Sequence, residues 1–196
     1  MEQKERLLQL YNECINELKT IGINMLKPEV GIIDIKLNNR SKKRYGCCRQ
    51  EAPDKNFCKR VRKGRKIIVE CNRFNKHHIE ISTWVMDLDE SIIKNTIIHE
   101  LIHCLPYCNN HGKEFKNYAK LINAELGYNI SRLGNKEKDF KESNIEYKEE
   151  NKYKYKIICT GCGQEVLRQR INKNFTRKYR CGKCGSKFKV FDIKNT

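Results

Sequence analysis

The chain has 196 residues, of which 38% are hydrophobic and 33% charged, enough for one ordinary domain and a small second one. Its formal net charge of +17 exceeds what solubility requires and favours a polyanionic partner. No window approaches the roughly 18 consecutive apolar residues of a membrane-spanning helix, so we expect no membrane association.

The N-terminus and the cysteine content indicate in which cellular compartment the protein is expected. The first twenty residues lack a continuous apolar segment and a small-residue cleavage site, so no secretory signal is visible. The eleven cysteines are an odd number. Without an export signal, they favour metal ligation in a reducing compartment over a disulfide framework. We therefore expect a cytoplasmic protein.

The positive charge is concentrated near the C-terminus. Residues 151–196 hold 13 Lys and Arg against two acids, which gives +11, and residues 1–150 hold 28 against 22, which gives +6. A general compositional bias toward Lys and Asn is the alternative explanation, but it would not place the charge at one end. The asymmetry favours a nucleic-acid contact in the last quarter of the chain.

Hydrophobic periodicity predicts a helix followed by strands. Apolar residues at helical spacing predict an amphipathic helix over residues 5–20. Ile33, Ile35 and Leu37 alternate and should share the buried side of a strand. Together with turn residues, alternation predicts strands at 30–38, 44–50 and 78–82, and a hairpin over 57–71 that turns at Lys63-Gly64.

Two helices follow the strands, which makes the fold class α+β. The first is predicted over 89–105, with Asp87 and Glu90 forming a capping box. The second is predicted over 112–126, with Gly127 as its C-cap.

The next segment changes in composition. Residues 131–156 are charged and poor in apolar residues, so they are predicted to form a linker, either unstructured or partly ordered. The predicted organisation is a main domain over 1–130, the linker over 131–156, and a small domain over 157–196.

Three of the five histidines lie between positions 99 and 111. His99 and His103 are four residues apart on a predicted helix, so their rings face the same side, as two ligands of one zinc ion require. Glu100 is rotated by about 100° around the helix, which suits a general base for a metal-bound water. A purely structural histidine pair is disfavoured, because an uncompensated Glu in so apolar a helix is costly.

The third protein ligand of such a site has two candidates. Catalytic zinc usually has three protein ligands and one position open to water. The metzincin spacing is excluded, because Pro106 and Asn109 stand where that pattern has Gly and His. Glu125 on the following helix is one candidate. His111 at the start of that helix is favoured, because a short turn returns it to the metal.

Two C-x-x-C pairs lie near the C-terminus, with 18 residues between them. Four thiolates at this spacing, from Cys159, Cys162, Cys181 and Cys184, are typical of a tetrahedral structural zinc site. A redox or iron–sulfur role is the alternative. Alternating segments on either side predict short strands and hence a zinc ribbon.

Basic residues on the predicted ribbon are interleaved with Phe175 and Tyr179. Cations that neutralise phosphates, beside rings that stack on bases, are typical of nucleic-acid binding. The predicted hairpin, in which six of residues 59–66 are basic, is a further candidate for this nucleic-acid surface. For both segments the alternative is a basic face that contacts only solvent. The candidate nucleic-acid-binding residues are Arg168, Arg170, Lys173, Arg177, Lys178 and Arg180.

Residues 99–128 resemble the core of SprT-like zinc metalloproteases, the family that includes Spartan. The shared pattern is HExxH, a short variable loop, and H-G-x-x-F opening the next helix. The resemblance implies a zincin-like α+β domain followed by a zinc ribbon, with one catalytic and one structural zinc, and proteolysis of DNA-bound or DNA-crosslinked proteins. Residues 51–77 have no counterpart in it. By this resemblance the metal ligands are His99, His103 and His111, the base is Glu100, and the shape positions are Gly112 and Phe115.

Two other functions remain open. One is a nucleic-acid-binding regulator whose zinc sites are only structural. The other is a YgjP-like metal-dependent hydrolase, which has Trp after the Phe where this chain has Lys116, and which would leave the ribbon unexplained. The oligomeric state is not determined by the sequence.

Several other residues carry weaker expectations. His77 and His78 precede a strand and are expected at the surface, whereas Trp84 is expected in the core or a cleft wall. Four cysteines have a spacing that matches no metal-binding knuckle, namely Cys47, Cys48, Cys58 and Cys71. Buried free thiols are expected there, and another metal site is the alternative if the strands bring the four together. Cys104 and Cys108 flank the loop between the two predicted helices and are expected to pack.

Overall fold

The structure is a computed structural model that describes residues 2–147 and 153–193. The chain divides into two compact units, residues 1–147 and 148–196. Both contain helices and sheets, which confirms the predicted α+β class. In the two described ranges, no helix is long and apolar enough to cross a membrane.

The first unit begins and ends with helices and has its strands between them. Its helices are α1 (Glu2–Thr20), α2 (Glu90–Ile102), α3 (Lys113–Leu126) and α4 (Lys136–Glu142). Its strands are β1 (Ile32–Asn38), β2 (Gly46–Pro53), β3 (Cys58–Lys63), β4 (Lys66–Cys71) and β5 (Phe74–Ser82).

The main sheet has the order β1-β5-β2, with β1 parallel and β2 antiparallel to β5. Strand β1 is less regular than predicted. Its pairing shifts between Ile32 and Asp34, and Ile33 between them is 56% exposed. The prediction that Ile33 faces the core was therefore wrong, because the irregularity moves it out of the alternating pattern. Ile35 and Leu37 pack against the core as expected.

The core lies between this sheet and helices α1, α2 and α3. Helix α2 is buried on nearly every side. Each fully buried Ile or Leu contributes about 1.5–3 kcal/mol through the hydrophobic effect, so α2 is firmly anchored. The buried apolar side chains of α2 are Ile92, Ile93, Ile97, Ile98, Leu101 and Ile102.

The start of α2 differs from the prediction. The N-cap is Asp89, and its side chain caps no backbone N–H. The expected capping box does not form, because Asp87 ends a 3-10 turn and accepts a hydrogen bond from Gln3 instead. Helix α3 ends as predicted, at Gly127 with φ +72°.

The predicted hairpin is confirmed as β3 and β4, with Gly64 in its turn at φ +60°. Cys58 and Cys71 lie directly opposite each other at the base of the hairpin and form a disulfide. The prediction that these two cysteines are free thiols was therefore wrong, because the antiparallel register brings positions 13 residues apart together.

His77 and His78 are not surface residues. Parallel pairing of β5 with β1 places His77 opposite Ile32, where it is 1% exposed and its Nδ1 donates to the Val30 carbonyl at 2.7 Å. His78 is half-buried and contacts Asp34 at 2.6 Å. The positions are internal because β5 is the central strand, a fact that needs the sheet order.

The segment 131–147, predicted as linker, packs onto the first unit. Helix α4 forms within it, and Phe140 stacks on Trp84 with ring centroids 5.7 Å apart. Tyr45 donates a hydrogen bond to Asp139. The domain boundary at 130 was therefore placed too early, because one aromatic residue can dock a short charged helix. The rest of the predicted linker is partly outside the described residues, at 148–152.

The second unit contains a three-stranded antiparallel sheet of order β7-β6-β8. Ile157 and Cys159 of the central strand are buried. The described elements are β6 (Tyr155–Cys159), β7 (Glu165–Arg168), α5 (Phe175–Lys178) and β8 (Phe188–Asp192).

Candidate metal centres

A short loop joins α2 to α3 and brings His111 back to α2. The loop turns at Tyr107, which has φ +63°, an uncommon conformation for a residue with a bulky side chain. Tyr107 N–H donates to the Asn72 carbonyl at 2.6 Å, and its ring contacts Phe57. The base of the β3–β4 hairpin therefore holds the loop in this conformation.

The structure brings His99, His103 and His111 together. Their candidate ligand nitrogens lie within 4.8 Å of one another, and Nε2 of His111 is 2.9 Å from Nε2 of His99. Buried Phe115 lies against all three rings, with centroid distances of 4.7 to 4.9 Å. The aromatic ring forms an apolar support that keeps the three imidazoles together.

Hydrogen bonds orient two of the rings. His103 donates through Nδ1 to the Cys108 carbonyl at 2.6 Å, which leaves the lone pair of its Nε2 free. His99 forms a hydrogen bond with the backbone of Ser131. Partners of this kind typically fix the tautomer of metal-binding histidines.

The three rings are held in the neutral form. Burial and the neighbouring His103 and His111 lower the pKa of His99 to about 4. Burial also lowers the pKa values of His103 and His111. Neutral imidazoles whose lone pairs converge repel one another, and a shared cation relieves that repulsion. The donor set therefore fits a divalent metal ion.

The other candidate for third ligand, Glu125, does not join this cluster. Its side chain is exposed on α3, whereas His111 lies at the start of that helix beside His99. In the part of the chain that the structure describes, the two groups with metal-binding potential are these three histidines and the four C-terminal cysteines.

Glu100 lies against strand β2 and lines the same cleft as the three histidines. It is 6% exposed, and a β-carbon built on Gly46 would lie 2.8 Å from its Oε1. Burial raises the pKa of Glu100 to about 8, although a backbone hydrogen bond from Cys48 and the charge of Arg44 act in the opposite direction. A carboxyl group with a pKa near neutrality can both accept and return a proton.

A cleft of about 1160 Å³ includes Glu100 and the three histidines in its walls. One wall is strand β2, an edge strand of the main sheet. The opposite part of the lining comes from residues 126–135 and helix α4, including Ser131 and Arg132. These residues were not predicted to line a site, because nothing in the periodicity of 131–142 separates them from a linker. The available signal was Phe140, an isolated aromatic residue in a charged segment.

Trp84 supports that wall from beneath. Its ring contacts Tyr45 and Phe140, and the ammonium group of Lys136 lies 3.9 Å from its centroid. This position agrees with the expectation that Trp84 lies in the core or in the wall of a cleft.

The four C-terminal cysteines form the second cluster. Sγ of Cys159 lies 3.3 Å from that of Cys184, and Sγ of Cys162 lies 3.6 Å from that of Cys181. A hydrogen bond from the Ser186 hydroxyl lowers the pKa of Cys184 to about 6, which favours the thiolate that binds metals. Gly163 and Gly185 have positive φ in the turns that follow each pair.

The six basic residues predicted to contact nucleic acid are all exposed in the second unit. Phe175 and Tyr179 pack together with ring centroids 5.0 Å apart, and Tyr179 is 53% exposed. The guanidinium of Arg180 donates to backbone carbonyls at the end of α5, among them Thr176 at 3.0 Å. Arg180 therefore also caps this short helix.

Cys104 and Cys108 are free and packed as expected, at 3% and 0% exposed. Cys47 and Cys48 are free as expected but less buried than predicted. Cys48 and Cys47 are half-buried in the cleft wall, and Sγ of Cys48 lies 3.7 Å from that of Cys104.

Comparison with known proteins agrees with this geometry. The model of the SprT-like family matches residues 5–134, the part of the chain that holds the histidine cluster and the cleft. Protein SprT-like from Bacillus subtilis (strain 168) is 46% identical over 46 residues, which are 23% of this chain and 29% of that protein. The match thus spans less than a third of that relative's length. Because the family model covers more than half of the chain, the protein belongs to the SprT-like family.

Proposed function

We propose that the protein is a zinc-dependent endopeptidase that acts on proteins associated with DNA. The observation that carries the proposal is the convergence of three neutral imidazoles beside a buried carboxyl group within an open cleft. Family membership supports a metallopeptidase-like function.

Zinc is the metal that best suits the residues present. His99, His103 and His111 would hold it, and three imidazoles with an open fourth position are typical of catalytic zinc. When bound, zinc supplies Lewis acidity and lowers the pKa of water.

Glu100 has the properties of the general base. Burial raises the pKa of its carboxyl group, so its carboxylate form is a stronger base than an exposed carboxylate and can take a proton from the attacking water and return it to the leaving nitrogen. The Cys48 backbone hydrogen bond and the close approach of Gly46 hold its carboxylate in one position. Fixed placement of this kind accounts for a large share of catalytic acceleration.

Strand β2 favours a peptide substrate over a small molecule. Among the described strands it pairs with β5 on one side only, and its residues Gly46, Cys48 and Gln50 line the cleft. An extended peptide can add to an edge strand through main-chain hydrogen bonds. The cleft volume, about 1160 Å³, also exceeds the roughly 300–1000 Å³ of small-molecule sites. Both features favour a peptidase over a YgjP-like hydrolase.

The second unit would bring the enzyme to DNA. Its four converging sulfurs suit a structural zinc ion, with which the unit would form a zinc ribbon. The exposed cations and aromatic rings of this ribbon have the chemistry of a non-sequence-specific nucleic-acid surface.

The test compares wild type with Glu100→Gln, which keeps the side-chain shape and removes the base, and with Glu125→Gln as the matched control on an exposed site. Purified zinc-loaded proteins are incubated with a DNA-bound protein substrate, with and without DNA. We expect cleavage by wild type and Glu125→Gln that increases with DNA, and none by Glu100→Gln. Equal behaviour of all three proteins would remove the peptidase proposal and leave a regulator with structural zinc sites.

A further inference from the structure

The β3–β4 hairpin concentrates positive charge at the surface of the first unit. Residues 58–71 contain six Lys and Arg and one acid, Glu70. Glu70 pairs with Lys63 at 2.6 Å. The two strands form a separate two-stranded sheet. The five other cations are all exposed, namely Lys59, Arg60, Arg62, Arg65 and Lys66.

The strand register sorts the side chains onto two faces. Arg60 is opposite Val69, and Arg62 is opposite Ile67. Directly paired residues of antiparallel strands project to the same side, so these four share one face. Ile67 is 71% exposed and Val69 63%. This face therefore offers two guanidinium groups and two β-branched apolar side chains to a partner.

The other face is also cationic. Lys63 is opposite Lys66, and Lys59 is opposite Glu70. Cations on both faces and at the Arg65 turn surround the hairpin with positive charge. A flat anionic membrane would contact only one face, whereas a groove with phosphates on each side would contact both.

We propose that this hairpin is a second DNA-binding element, which enters the major groove of duplex DNA. That groove is about 12 Å wide in B-form DNA and admits a two-stranded β-ribbon, whose strands lie about 5 Å apart. Guanidinium groups bind phosphates and base edges, and apolar side chains contact thymine methyl groups. The major groove of duplex RNA is too deep and narrow for such a ribbon. B-form DNA is therefore the partner whose shape and charge both fit.

The base of the hairpin is attached to the metal-binding loop. Asn109 donates through its side-chain nitrogen to the Cys71 carbonyl at 3.0 Å, and Tyr107 N–H donates to the Asn72 carbonyl at 2.6 Å. Asn109 also lines the cleft. DNA held by the hairpin would thus lie on the same unit as the cleft, independently of the zinc ribbon. The proposal goes beyond the peptidase function and does not require proteolysis.

The test measures binding of full-length, zinc-loaded protein to a short DNA duplex across a range of salt concentrations. All variants carry Glu100→Gln, so that cleavage does not interfere. One pair, Arg60→Gln with Arg62→Gln, removes cations from the hairpin. A second pair, Ile67→Ser with Val69→Ser, removes only apolar surface. The matched control, Lys4→Gln with Lys19→Gln, removes two exposed cations from α1.

We expect the arginine pair to weaken duplex binding on the order of tenfold and to reduce the slope of log K against log salt by about 2, since each phosphate contact contributes about 0.9. The apolar pair should weaken duplex binding with the slope unchanged, and the control should match the parent. Thermal unfolding midpoints equal to that of the parent show that each variant is folded. The arginine pair and the apolar pair test the hairpin contact with DNA independently of each other. The proposal is overturned if neither pair differs from the control. It is also overturned if the pairs reduce binding to duplex RNA or phosphatidylserine vesicles but not to DNA.

Discussion

Gly46 on strand β2 lies directly against the carboxylate of Glu100 on helix α2, so that a β-carbon at position 46 would stand 2.8 Å from both Cγ and Oε1. Two residues further along, the backbone of Cys48 hydrogen-bonds the same carboxylate. The edge strand therefore positions Glu100 by shape and by a backbone donor. The strand proposed to pair with a peptide is thus the one that holds the proposed base.

Gly46→Ala should displace the Glu100 carboxylate and lower kcat by about 100-fold, the cost of a misplacement near 1 Å. Metal content should remain at the wild-type level, because the three histidines are unaffected. Peptidase kinetics and metal analysis check both. Gly22→Ala is the control for lost stability, because it costs about 1 kcal/mol of backbone strain at a position where the new β-carbon meets open space. Wild-type kcat in Gly46→Ala would show that the strand does not position Glu100.

Metal binding should depend on His111 and not on Glu125. Removing the hydrogen-bond partner of a metal ligand typically lowers metal affinity by roughly 10- to 100-fold. His111→Ala removes a ligand itself, so it should lower the zinc affinity of the first site by more than that. Glu125→Ala, on the same helix and exposed, should bind zinc as wild type does. Competition with a chromophoric chelator measures both affinities. An equal loss in both variants would contradict the assignment.

Chelation should separate the two metal centres. The first unit has a large apolar core, so removing metal from its histidines should leave its helical circular dichroism unchanged. The buried apolar residues described in the second unit are Ile157, Cys159 and Cys181, too few to sustain a fold without a metal. A strong chelator should therefore unfold the second unit alone, measured by hydrogen exchange of each unit. Loss of protection in the first unit would indicate a structural histidine site.

Phe140→Ala should destabilise the first unit by about 2 kcal/mol, less than for a fully buried Phe because this ring is half-buried. The reason is loss of the stack on Trp84 that docks α4. Leu133→Ala, in the same segment and 78% exposed, should stay within about 0.5 kcal/mol of wild type. Urea unfolding measures both. No difference between the two variants would restore the linker interpretation of residues 131–147.

His77 should make the protein sensitive to acid. Burial lowers the pKa of His77 in the folded state, so below the unfolded value of about 6.5 the unfolded chain binds more protons. Stability is unaffected above that pH and falls as the pH decreases toward the folded pKa. His77→Gln removes this contribution, and its free energy of unfolding should decrease less than that of wild type between about pH 6.5 and 5. Because both proteins share all other histidines, parallel curves would contradict the prediction.

Local patterns in the sequence were sufficient for several parts of the molecule. The spacing of His99 and His103 on one helix face depends only on helix geometry, and the hairpin depends on a turn and two alternating segments. The convergence of the four cysteines likewise follows from two short knuckles. These features involve residues close in sequence, or patterns whose geometry is set by a few residues.

Only the tertiary structure decided what surrounds the proposed base and what closes the cleft. The contact of Gly46 with Glu100, the hydrogen bond from the His99 ring to the Ser131 backbone and the docking of Phe140 on Trp84 join positions more than 30 residues apart. Each depends on the order of strands or on packing of a whole segment, and such long-range pairings leave no period in the sequence. The sequence thus determined which residues can bind a metal ion. The fold decided which strand and which helix lie opposite that metal site.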